Sequence, residues 1–122
     1  MNQSWKVLFY ISESNDNPVK VFLNDLEERE RGKILRVVKY IQEYGLDAVL
    51  PHVRKLTGIP LWEIRILGKD SIRIVYVVPY EQTVLLLHGF RKKAQKTPQR
   101  EIRIAMERYI HWIKKRKIQV DK

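Results

Sequence analysis

The chain contains no cysteine, which excludes a disulfide framework, thiolate catalysis and a zinc ribbon. It has no apolar run long enough to span a bilayer. Its opening residues, Met1-Asn2-Gln3-Ser4-Trp5-Lys6, lack the apolar core of a signal peptide. A soluble, cytoplasmic protein with no membrane association is expected. Glycine is scarce and always single, so no phosphate-cradling glycine loop exists, and no GxSxG elbow is present. The three histidines, His52, His88 and His111, follow no metal-ligand spacing, so neither metal nor cofactor is expected. Negative charge is also short, with 24 Lys and Arg against 14 Asp and Glu, a net charge of +10. The imbalance is local. Eleven cations fall between Arg91 and Lys117 with only Glu101 and Glu107 to oppose them, whereas Asp25 to Glu30 is mainly acidic. A basic half of this kind attracts a polyanion, RNA or DNA, or an acidic protein surface.

What is present is enough for a core. With 44% apolar residues, the 122-residue chain is expected to fold as a single domain, 1–122, burying roughly two thirds of its surface. Trp5 to Ser12 alternates as a strand, with Trp5, Val7, Phe9 and Ile11 on one face. Asn17-Pro18 is a cap followed by proline, opening a helix to about Glu30; a second helix runs from about Arg31 to Tyr44 and stops at Gly45. In the second helix Ile34, Val38 and Ile41 form the stripe, widened by Leu35 and Val37. Leu46 to Pro60 is irregular. Leu61 to His88 then reads as three strands, separated by turns at Gly68-Lys69-Asp70-Ser71 and Pro79-Tyr80-Glu81-Gln82. Thr97-Pro98 opens a last helix to about Lys117, with Ile102, Met106, Tyr109 or Ile110, and Ile113 inward and Arg100, Arg103, Lys114 and Lys115 outward. The fold class is α+β in the order β-α-α-β-β-β-α: a small, antiparallel-dominated twisted sheet with an N-terminal helical hairpin and a C-terminal helix.

The strands carry the chemistry. Arg65 and Arg73 start from neighbouring strands, and Arg91, Lys92, Lys93 and Lys96 follow the third. Rigid strands that aim several cations at one place make an anion site. RNA brings its own nucleophile, the 2′-hydroxyl, so cations on the phosphate and in-line geometry are enough to promote cleavage. Arginine suits that task because its planar fork meets phosphate oxygens two at a time.

LWEIRI, SIRIVYVV and LLLHGFRKKAQKTPQREIRIA, behind an NP-initiated helical hairpin, resemble the RelE/ParE superfamily of bacterial toxins, most closely its HigB-like branch from phage and plasmid modules. The likeness runs from about Lys6 to Arg108. It implies a type II toxin–antitoxin module whose toxin cuts translated mRNA at the ribosome. Its partner would be a HigA-like helix-turn-helix antitoxin, and through that antitoxin the pair would contact operator DNA. The resemblance also implies Arg73 as stabiliser of the developing phosphorane charge, with Arg65, Lys92 and Lys93 beside it. Arg54, Lys55, Arg91 and Lys96 are expected to contact RNA. The chain departs from the family pattern at the general base, since Thr97-Pro98 follows the lysines. Glu63, His88 or a lysine of depressed pKa could fill that role. Competing readings stand beside these: Arg65 and Arg73 in ion pairs with Glu63 or Asp70, the lysines as a solvated cap, His88 as a satisfied strand-end histidine, and Trp62 and Tyr76 as core. For the whole chain the alternatives are a ParE-like gyrase poison without nuclease activity and a passive RNA-binding domain.

Overall fold

In the computed structural model, residues 4–66, 71–92 and 97–120 are described. Among them the fold is α+β. Three α-helices and one 3₁₀ helix surround a five-stranded, mostly antiparallel sheet. No described helix is long and apolar enough to cross a membrane.

The first strand, β1 (Lys6–Phe9), leads to α1 (Pro18–Asn24) and α2 (Glu28–Tyr44). Asn17 caps α1 by accepting from the Lys20 amide at 3.1 Å, ahead of the proline that favours the first helical position. The first helix ends well before Glu30. Leu26 keeps helical spacing in sequence and is buried, yet it lies after α1 has closed, and the backbone at Glu27 is extended before α2 begins. The acidic run is therefore the start of the second helix, where its charge complements the exposed amides of the first turn. Leu35 does not widen the α2 stripe; it is an exposed side chain, while Ile34, Val38 and Ile41 are buried.

The irregular stretch holds a 3₁₀ helix, Leu46–His52, and a three-residue strand, β2 (Val53–Lys55). That strand is too short to show periodicity in sequence. It adds an edge to β3 (Trp62–Ile66). Next come β4 (Ser71–Tyr80), β5 (Thr83–Lys92) and the last helix, α3 (Gln99–Val120). The sheet order is β1-β5-β4-β3-β2, antiparallel except for β1 against β5. Two boundaries differ from the sequence reading. Pro79 and Tyr80 belong to β4, beside a register irregularity that accommodates the proline, and the turn is Glu81-Gln82, with Gln82 at φ 54°. The third long strand continues through Gly89 to Lys92, so Arg91 and Lys92 lie in it rather than after it. Most of the expected turn from Gly68 falls outside the described residues.

The sheet divides the core in two. One face packs Ile64, Ile66, Ile72, Ile74 and Tyr76 against α1 and α2; the other packs Val75, Val77, Leu85, Leu87 and Phe90 against α3. On α3 the inward stripe is Ile102, Ala105, Met106, Tyr109 and Trp112, while Ile110 and Ile113 are exposed. Strand alternation sets the face of each residue along β3 and, between the register shifts at Val75/Tyr76 and Val77/Tyr80, along β4 and β5.

Candidate functional site

Register decides which cations meet. Arg65 stands directly opposite Arg73, Arg73 opposite Phe90, Arg54 opposite Glu63, and Ser71 opposite Lys92. Directly opposed residues share a face. Arg54, Glu63, Arg65, Arg73 and Lys92 therefore all project to the α3 side, at the end of the sheet where β3 finishes and β4 begins. Two arginines paired across strands destabilise a sheet. Here the cluster is also drawn out of water: Arg73 and Lys92 are each 6% exposed, and the one acid among them, Glu63, is fully buried.

Glu63 holds the cluster together. Its Oε1 lies 3.5 Å from Arg73 Nε, and its Oε2 accepts a 2.8 Å hydrogen bond from the Thr97 hydroxyl. The contact with Arg73 is an ion pair without hydrogen-bond geometry; among the described residues neither Glu63 Oε1 nor Arg73 Nε has a hydrogen-bond partner. Arg73 Nη1 donates to the Ile72 carbonyl at 3.3 Å. Burial lowers the Arg73 pKa from arginine's ordinary value; Glu63 opposes that shift, and Arg65 and Arg54 add to it. Burial also pushes the Lys92 ammonium down from lysine's usual 10.5, and Arg73 lowers it further against the pull of Glu63. The site thus offers a half-buried arginine, a buried arginine and a lysine that gives up its proton more readily than a solvated one.

His88 shares this face but belongs to a different network. Its Nε2 is 3.1 Å from Glu101 Oε1, its Nδ1 is 3.1 Å from Arg108 Nη1, and its ring stacks on Phe90. Arg108 has only protons to offer, so Nδ1 accepts and Nε2–H donates to Glu101. Burial depresses the His88 pKa more than Glu101 raises it, which favours this neutral ring. The arrangement locks α3 to β5.

Two of the expected RNA contacts face the other way. Arg91 lies on the hairpin side, where its guanidinium forms a two-pronged pair with Glu30 at 2.7 and 2.9 Å and lowers that carboxyl's pKa. Lys55, opposite Trp62, donates to the Leu56 and Ile59 carbonyls and sits over the Trp62 ring. One residue of shift along a strand changes the face, so neither joins Arg73. Arg54 does face the site and is exposed. Lys93 and Lys96 lie outside the described residues. Thr97 was legible only as a helix cap, whereas α3 begins two residues later and its hydroxyl is spent on Glu63. Glu101 and Arg108 carried no signal in the sequence, because their partner His88 is brought to them only by the packing of α3 on β5.

A family model matches most of the chain. The family described as Phage derived protein Gp49-like (DUF891) matches residues 21–110, which include α2, all of β2 to β5 and the first half of α3. No curated protein matches the chain.

Proposed function

Because the chain belongs to the Gp49-like family of phage-derived proteins, we propose that it is the toxin of a type II toxin–antitoxin module and acts as a ribosome-dependent endoribonuclease. Arg73 and Arg65 grip the non-bridging oxygens of one phosphodiester of a translated mRNA. Charge that builds on phosphorus during in-line attack falls between two guanidinium forks carried on adjacent strands, one of them held by Glu63 and the Ile72 carbonyl, the kind of stabilisation worth roughly 10²–10³ in rate. The 2′-oxygen bonds to phosphorus and its proton passes to Lys92 in those molecules whose amine has already given up its own proton, a step that the lowered pKa favours. The bond to the 5′-oxygen breaks, and that oxygen takes a proton from water. The products are a cyclic phosphate and a 5′-hydroxyl end.

Among the described residues the proton is assigned to Lys92 by exclusion as well as by burial. Glu63 is fully buried and turned toward Arg73 and Thr97, and both ring nitrogens of His88 are engaged. Glu63 is therefore a positioning residue, holding the Arg73 fork, and His88 is structural. A HigA-like antitoxin with a helix-turn-helix neutralises the protein and links it to operator DNA.

The observation that carries this reading is the opposed pair Arg65 and Arg73 with Lys92 beside it, a like-charge cluster that works against the fold. The test is inducible expression followed by mapping of transcript ends. The parent should arrest growth and produce new ends inside translated codons. Arg65→Ala and Arg73→Lys should lose at least about a hundredfold in cleavage, since a point charge does not reproduce the fork. DNA damage without such ends would overturn the assignment in favour of gyrase poisoning, and full activity in both variants would overturn the site.

A further inference from the structure

The far end of α3 carries a second group of residues that the cleavage site does not use. Tyr80, at the end of β4, and Trp112 lie with ring centroids 6.2 Å apart and planes tilted by 31°. The Arg116 guanidinium sits 4.3 Å from the Tyr80 ring and 5.5 Å from that of Trp112. A pocket of about 290 Å³ and another of about 370 Å³ share these three side chains as walls. Lys115 lines the first and Lys117 the second, and every charged residue lining either is a cation. Tyr80 is 40% exposed, so its ring is offered to solvent rather than absorbed into the core.

The outer face of α3 is basic at its two ends. Arg100, Arg103, Glu107, Ile110, Lys114 and Lys117 recur at three- and four-residue spacing, and all are exposed. They form one outer face of α3, with Glu107 its only acid. The helix begins beside Thr97, which is bonded to Glu63, and ends beside Tyr80. Seven residues of β4 separate Arg73 from Tyr80, about 23 Å.

We propose that the Tyr80–Trp112–Arg116 cluster is a binding site for unpaired nucleotides of RNA, separate from the arginine site. Flat rings take bases by stacking, whatever their sequence, and the flanking cations take the phosphates. The cations lining the two pockets, Lys115, Arg116 and Lys117, lie close enough to the rings to hold the phosphates on either side of a stacked base. The inference goes beyond the cleavage reading, because binding here requires no chemistry at the phosphodiester.

The test uses the full chain and a labelled, short single-stranded RNA with every 2′-hydroxyl methylated, so that no nucleophile remains. Its affinity is read by fluorescence anisotropy. Tyr80→Leu and Arg116→Gln should each weaken binding about tenfold, and Arg65→Ala should leave that loss unchanged when combined with either. Arg116 is exposed, so its variant reads the site even where Tyr80→Leu disturbs packing. Parental affinity in Arg116→Gln with an unchanged unfolding midpoint would overturn the proposal. So would a tyrosine-containing polyglutamate peptide that binds more tightly than the RNA and displaces it, which would mark the surface as one for an acidic protein.

Discussion

At the scale of single residues, the site opposes stability. Lys92 is buried, and burial and Arg73 both favour its neutral form. Its folded-state pKa lies below the ordinary 10.5, so at neutral pH the fold bears the expense of a buried ammonium; that penalty fades as pH rises from the folded-state value toward 10.5. Lys92→Met keeps the stem and removes the charge. It should raise stability by about 1 kcal/mol, seen as a higher melting midpoint, while abolishing RNA cleavage. A loss of both would mean that the amine is structural. Glu63 behaves in the opposite way. Glu63→Gln still accepts from Thr97 but leaves Arg73 buried without a counter-charge, and should cost about 3 kcal/mol in urea unfolding. Adding Arg73→Met should recover part of that loss. For the same reason Arg73→Ala is a poor test of activity, since it strands a fully buried carboxylate.

At the scale of elements, close packing fixes where the sheet and helices meet. Gly45 ends α2 at φ 85°, and a Cβ there would come within 2.7 Å of Trp5 Nε1. Gly45→Ala therefore combines backbone strain with a clash and should lower stability by about 2 kcal/mol by chemical denaturation. If it is neutral, the Trp5 contact is not holding the hairpin on β1. Gly89 has the same role on β5, where an added methyl would overlap the Phe22 ring of α1. That is why β5 runs past a residue that reads in sequence as a break: the glycine admits a neighbouring aromatic rather than ending the strand.

For the whole molecule, the attachment of α3 governs acid stability. His88 is held neutral between Glu101 and Arg108, with its pKa lowered from 6.5 chiefly by burial. Above 6.5 the ring is neutral in both folded and unfolded chains. As pH falls below that value the unfolded chain takes up the proton first, so stability declines until the folded-state pKa is passed. Unfolding free energy should fall as pH drops below 6.5, and His88→Gln should flatten that slope. An unchanged slope would place the acid sensitivity elsewhere. The net charge of +10 acts at the same scale: the proposed association with RNA should weaken steeply as salt rises, read by anisotropy across a salt series.

The α+β class, the antiparallel-dominated sheet and the placement of Arg65 and Arg73 on neighbouring strands were readable from alternation and turn chemistry, because these depend on residues close in sequence. The sequence also marked Lys92 as basic and near the site. What it could not supply was depth and partner: that Glu63 is buried against Arg73, that Thr97 reaches it from 34 positions away, that Arg91 and Lys55 turn to the far face, and that Tyr80 meets Trp112. Such facts follow from register and from how α3 crosses the sheet. Those are set by long-range packing of the whole apolar surface, which no local pattern encodes.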